Sequence, residues 1–253
     1  MEWSEDGIIL GTRSHGESGV VLELMTRRRG RHLGLVRGGR SRRQQPVLQP
    51  GNLVRATWRA RIADQLGAFT VEPLQLRAGA LMDSALALHA LQHLAGLLRL
   101  LPERDAHERL YDALTIVLDH LGEAMIAGPL IVRFELELLN ELGFGLDLTR
   151  CAATGQLWDL AYVSPKSGRA VSRDAGAPYR DQLLPLPSFL VEGERQPGSE
   201  ITFADISQGL RLTAFFLARH VLEPQGHAPS LSREELVKAL ERGFGPVGLA
   251  GCP

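Results

Sequence analysis

Cysteine, lysine and long apolar runs are all scarce in this chain of 253 residues. Cys151 and Cys252 are its only two cysteines, too few for a disulfide framework or a four-cysteine zinc site. Arg and Asp interrupt every apolar run well before the roughly 18 residues that a membrane-spanning helix needs. The acidic start, Met1-Glu2-Trp3-Ser4-Glu5-Asp6, lacks the basic residues and apolar stretch of a secretory signal. A soluble protein of the reducing cytoplasm, with no membrane partner, is the expectation.

Catalytic signatures are missing too. Lys166 follows Pro165 and Lys238 follows Val237, so neither closes a phosphate-binding P-loop. Gly-x-Ser-x-Gly, His-Glu-x-x-His and Gly-x-Gly-x-x-Gly are absent. His89 and His93 have the i, i+4 spacing of two metal ligands, but their surroundings are apolar, which favours a buried or rim position. His107 and His120 fit no pattern. Glu135, Glu137 and Glu141 follow one side of a helical segment and are expected to be solvated. No nucleophile–base pair emerges, and no enzymatic activity is expected.

What the chain does have is arginine, 26 residues of it. Its 28 basic and 29 acidic residues nearly cancel, but not evenly along the sequence. Residues 1–79 hold 13 arginines against 7 acids, a net of +6. The remainder holds 15 basic residues against 22 acids, a net of −7. Eight arginines (Arg27, Arg28, Arg29, Arg31, Arg37, Arg40, Arg42 and Arg43) fall within 17 residues that contain no acid. A solvated face is the alternative, but eight like charges repel one another and nothing local compensates them, so phosphates are the expected counter-charge.

Residues 1–79 read as β. The strand-like runs are Gly7–Arg13, Val20–Thr26, His32–Arg37, Leu53–Ile62 and Ala68–Leu76, separated by Gly and Pro. Alternation in the fourth run places Leu53, Arg55, Thr57, Arg59 and Arg61 on one face. Val54, Ala56, Trp58, Ala60 and Ile62 take the other, so Trp58 is expected in the core. Pro73 marks the end of the fifth run as an edge. Five short strands suit a small closed barrel, with the OB-fold a leading candidate.

Beyond Gly79 the period becomes helical. Helices are expected over Leu81–Leu101, Ala106–Ile126, from Gly128-Pro129 to a stop at Gly143, Thr202–Leu222 and Ser232–Phe244, the last opening on a Ser232/Glu235 capping box. They would form a bundle. Residues 147–180 interrupt it, with a strand at Trp158–Val163, a turn at Ser164–Gly168 and a returning strand at Arg169–Arg173. The expected organisation is therefore α+β in two domains. Residues 1–79 form the five-stranded barrel. Residues 80–253 form the helical domain, with an inserted β-hairpin at 147–180.

Several stretches together carry a family resemblance. They are Gly7-Ile8-Ile9-Leu10-Gly11-Thr12-Arg13, His15-Gly16-Glu17, Leu24-Met25-Thr26, Gly30-Arg31, Gly34-Leu35-Val36-Arg37-Gly38 and Leu48-Gln49-Pro50-Gly51. Further on come Arg133-Phe134-Glu135-Leu136-Glu137-Leu138-Leu139, Leu142-Gly143-Phe144 and the hairpin from Cys151. In this order they resemble the RecO family of bacterial recombination mediators.

The resemblance implies an N-terminal OB-fold and a C-terminal helical domain. It implies binding of single- and double-stranded DNA and annealing of complementary strands. It also implies loading of RecA with RecR, docking on the C-terminal tail of the single-strand-binding protein SSB, and RecF as a further candidate partner. A nucleoid-associated location in the cytoplasm follows. Many family members carry zinc on two Cys-x-x-Cys pairs in the hairpin. Here these read Cys151-Ala152-Ala153-Thr154 and Ser172-Arg173-Asp174-Ala175, so only Cys151 is retained and no cofactor is expected. Trp158, Leu160 and Tyr162 are expected to hold the hairpin instead.

The residues expected to bind DNA are Arg31, Arg37, Arg40, Arg42 and Arg43, extended by Arg55 and Arg59 on their strand face. Arg133 is expected to face the SSB tail, unless it only pairs with Glu137. Two other classes stay open from the sequence: an OB-fold RNA-binding protein, and a metal-dependent DNA-processing enzyme.

Overall fold

β1 (Glu2–His15) is the spine of the first unit. It pairs antiparallel with β2 (Gly19–Thr26) on one edge and with β4 (Leu53–Arg59) on the other. β2 pairs with β3 (Gly30–Val36), and β4 with β5 (Ala68–Gln75). A parallel pairing of Leu35 with Ala68 closes the ring. The strand order β1-β2-β3-β5-β4 makes a closed barrel, the OB-fold expected from the five runs. The structure is a computed structural model and describes residues 1–62, 64–191, 193, 200–226 and 231–245.

Period-two alternation fills the barrel. Along β4, Val54, Ala56 and Trp58 are buried while Arg55 and Arg59 are exposed. They join Ile9, Leu22, Leu24, Val36, Phe69 and Val71 in one apolar cluster. Gly34 is required for close approach, because a Cβ there would lie 2.5 Å from the Phe69 ring. β5 meets β3 only at its first residue, so Pro73 sits where no β3 neighbour needs its missing N–H.

The first helical run is shorter than its periodicity predicts. It divides into α1 (Ala78–Met82) and α2 (Ala85–Leu98), because Ser84 adopts an extended conformation and its hydroxyl caps the Ala87 N–H at 3.2 Å. α3 (Glu108–Asp119) stops well before Ile126. The chain folds into two compact units that meet in sequence after Gly122. The barrel and α1–α3 make up the first, and residues 123–253 the second.

In the second unit, α4 (Ala124–Glu141) starts before Gly128-Pro129, and Pro129 lies inside it. It ends as the sequence predicts. Gly143, at φ +85°, lets the Phe144 N–H reach Leu139 O and its own N–H reach Asn140 O, a Schellman stop. The insertion forms β6 (Leu160–Val163), β7 (Ala170–Ser172), α5 (Arg173–Gly176) and β8 (Leu184–Pro185), in a sheet ordered β7-β6-β8. α6 (Phe203–Leu217) opens on a Thr202/Asp205 capping box and runs into a π-turn over Ala218–Leu222. α7 (Leu231–Gly243) completes the bundle. Among the described residues, no helix is long and apolar enough to cross a membrane.

Two side chains depart from expectation. Glu135 has no exposure, because α6 and α7 both pack on α4 and enclose it. Trp158 is 67% exposed; the hairpin is held instead by buried Leu160 and by Tyr162, which packs over Gly176.

Candidate nucleic-acid interface

The turn after β3 presents the arginines expected to matter most. It is pinned to the β1–β2 hairpin, since the Arg40 N–H donates to Ser18 O and its guanidinium to Glu17 O at 3.0 Å. Gly39 lies against Val20, leaving no room for a side chain. Arg37, Arg42 and Arg43 are exposed, and no acid lies within ion-pair distance of them among the described residues. Arg13, which is not among the arginines expected from the sequence, joins this end of the barrel. It pairs with Val21 across from Leu35, two residues before Arg37, and is exposed. Its position at the end of an apolar strand was the available signal.

Other members of the arginine-rich segment meet acids brought from elsewhere. Arg27 pairs with Glu108 at 2.6 Å and Asp112 at 3.0 Å. Arg31, with its side chain only 12% exposed, pairs with Glu23 at 3.1 Å and Glu103 at 3.5 Å and donates to Leu101 O. Glu23 also takes Arg99 at 2.8 Å. On β4, Arg55 pairs with Asp6 and Arg59 with Glu2, whose carboxyl is held below its ordinary range by the hydrogen bond from Arg59. The absence of local acids therefore does not mean an absence of compensation.

The barrel's aromatic side chains belong largely to its interior. Trp58 is 2% exposed and donates its indole N–H to Leu66 O at 2.9 Å; Phe69 is also buried. With Trp3 they surround His32, whose ring nitrogens find no hydrogen-bond partner among the described residues. Burial, followed by the charges of Arg104 and Arg29, depresses the His32 pKa to about 4. It is neutral at physiological pH.

In the second unit, Arg133 is exposed on α4 and donates to Phe189 O at 2.7 Å. The residues at the two expected Cys-x-x-Cys positions are a poor donor set for zinc. They offer one thiol, from Cys151, together with the hydroxyls of Thr154 and Ser172 and the methyl of Ala175. No group of three or more His, Cys, Asp or Glu residues suited to a metal exists among the described residues. The Cys151 sulfur is buried and instead accepts the Ser172 N–H at 3.2 Å and the Ser172 hydroxyl at 3.3 Å. Burial acts to raise the thiol pKa, but hydrogen bonds from Ser172 and Thr154 outweigh it and bring the value to about 6. Cys252 lies outside the described residues.

Comparison with known proteins accounts for nearly the whole chain. The family model described as Recombination protein O N terminal matches residues 1–77, and Recombination protein O C terminal matches residues 83–229. The DNA repair protein RecO of Mesorhizobium japonicum is 57% identical over 242 residues, covering 96% of this chain and 94% of the relative. That of Methylobacterium nodulans is 60% identical over 238 residues, covering 94% and 97% respectively. That of Rhizobium etli is 56% identical over 248 residues, covering 98% and 95%. With a five-stranded barrel followed by helices, and both family models matched in order, the chain belongs to the RecO family of DNA repair and recombination proteins.

Proposed function

We propose that this chain is a recombination mediator. It binds single- and double-stranded DNA, anneals complementary strands and, with RecR, helps load RecA onto strands coated by SSB. It acts in the cytoplasm at the nucleoid, with RecF as a further partner, and needs no metal or other cofactor. The observation that carries this reading is the set of arginines at one end of the barrel that no described acid compensates: Arg37, Arg42 and Arg43, flanked by Arg40 and Arg13.

Guanidinium groups at that end would engage backbone phosphates without reading sequence. Two strands lying there would have their mutual repulsion screened while their bases stayed free to pair. Arg55 and Arg59 extend the path by exchanging Asp6 and Glu2 for phosphates. Arg31, at the other end of β3 from Arg37, steadies the barrel through its pairs with Glu23 and Glu103. Arg133 offers the acidic SSB tail a cation whose geometry is fixed by the Phe189 carbonyl.

The test is the salt dependence of oligonucleotide binding, combined with annealing of SSB-coated complementary strands. Replacing Arg37, Arg42 and Arg43 together by Ala should lower the slope of log K against log salt by about 2 for single strands, at about 0.7 per contact. Annealing should fall with it. A flat salt dependence of the unmodified protein would overturn the proposal. Arg133→Ala should impair SSB-tail binding and spare DNA binding; equal loss of both would refute that division of labour.

A further inference from the structure

A ladder of aromatic rings in the second unit runs from the core to solvent. Phe216 is 2% exposed. His220 stacks on it with centroids 6.0 Å apart and planes 10° from parallel. Phe144 stacks on His220 at 5.0 Å and 12°, and is 40% exposed. Aromatic side chains often meet edge to face, as Phe215 and Phe216 do here at 84°. Two consecutive parallel pairs require specific backbone placement. The Schellman stop of α4 fixes Phe144 through its N–H to Leu139 O at 2.7 Å. The π-turn after α6 supplies His220, and such turns frequently occur at functional sites.

The surroundings are cationic. Arg219 precedes His220 in that turn, is exposed, lies 5.9 Å over the Phe215 ring and donates to Pro165 O at 3.3 Å. Lys166, the residue after Pro165, is exposed too. Neither has a carboxylate within ion-pair distance among the described residues. Asp147, an acid on the same stretch of chain as Phe144, is held by Thr149 and Arg169. The hydrophobic contact that accompanies a Schellman stop explains why Phe144 is apolar. It does not explain the parallel ladder or the two cations beside it.

We propose that the Phe216–His220–Phe144 stack is a nucleobase platform. An unpaired base of single-stranded nucleic acid stacks on Phe144, and its flanking phosphates meet Arg219 and Lys166. Every base offers a π-face, so the contact tolerates any sequence, and the cations select a phosphate-bearing chain over a neutral peptide. The inference rests on the nucleic-acid reading given above, but places a second contact outside the barrel, in the acidic half of the chain.

The experiment uses the full chain and oligothymidylate carrying 5-iodouracil, photo-crosslinked and mapped by mass spectrometry. Adducts at Phe144 or His220 are expected. In parallel, Phe144→Leu should weaken binding of unsubstituted single strands about fivefold or more, given about 1 kcal/mol or more per stacked base. Duplex binding should not change, and Phe144→Trp should restore the loss. Adducts confined to residues 1–77, or equal losses for single strands and duplex, would overturn the platform while leaving the barrel site intact. Absence of nucleic-acid binding altogether would instead remove the reading on which it rests.

Discussion

Arg233 donates two hydrogen bonds to the Glu135 carboxylate, at 3.2 and 3.0 Å, across 98 residues of sequence. The Thr213 hydroxyl donates to the same carboxylate, and Arg233 also reaches Leu210 O at 2.6 Å. One charge pair, with Glu135 buried and Arg233 partly so, therefore ties α4, α6 and α7 together. Removing one partner leaves the other charge without its counter-ion, which typically costs about 3–5 kcal/mol. Glu135→Ala and Arg233→Ala should each lower the urea midpoint by a corresponding amount. Replacing both, with Glu135→Leu and Arg233→Met, should recover much of the loss. A double variant as unstable as the sum of the singles would show that the pair is not the unit of stability.

His32 should make the protein acid-sensitive in a defined window. Its folded pKa of about 4 lies below the ordinary 6.5, so the fold favours the neutral ring. The unfolded chain takes up a proton as pH falls through 6.5, and the folded chain does not until about 4. Stability is thus fully present above about 6.5 and lost progressively down to about 4. The full shift corresponds to a loss on the order of 3 kcal/mol. Urea unfolding of the protein and of His32→Leu at pH 7.5 and 5 should diverge, with the variant losing about 2 kcal/mol less. Parallel losses would remove His32 as the cause.

Arg31 and Arg42 sit in one arginine-rich segment but should behave differently. Arg31→Ala removes charge-assisted hydrogen bonds to Glu23 and Leu101 O, while Glu23 keeps Arg99. A stability loss of about 2 kcal/mol is expected, with little change in the salt slope of DNA binding. Arg42→Ala should do the reverse. Paired thermal melts and salt titrations of the two variants decide the matter.

The knuckle around Cys151 should stand without metal. Chelator should leave the unfolding midpoint unchanged, and purified protein with stoichiometric zinc would refute this. Cys151→Ala strips the acceptor from the Ser172 N–H and hydroxyl and should cost about 1–3 kcal/mol. Conversely, Thr154→Cys, Ser172→Cys and Ala175→Cys together should create a site whose cobalt complex shows tetrahedral thiolate absorption.

The barrel was legible because inward residues recur every second position and Gly and Pro mark the turns, as at Val54, Ala56 and Trp58. Helix boundaries were less so. Ser84 breaks one apolar run through a cap, and α4 starts at Ala124, so that Pro129 lies inside the helix rather than in its first turn. The aromatic ladder was not legible, since Phe144 and His220 are 76 residues apart and each is unremarkable alone.

Charge separates the two kinds of knowledge most clearly. The order of the residues alone determined that the chain is a basic segment followed by an acidic one, and that one stretch of 17 residues holds eight arginines and no acid. Only the tertiary structure decided which of them remain available. Folding brings Glu23 and Glu103 to Arg31, and Glu108 and Asp112 to Arg27, while Arg37, Arg42 and Arg43 stay exposed with no described carboxylate within ion-pair distance. The physical reason is that charge interactions depend on distance through space, and a strand or turn sets that distance independently of sequence separation.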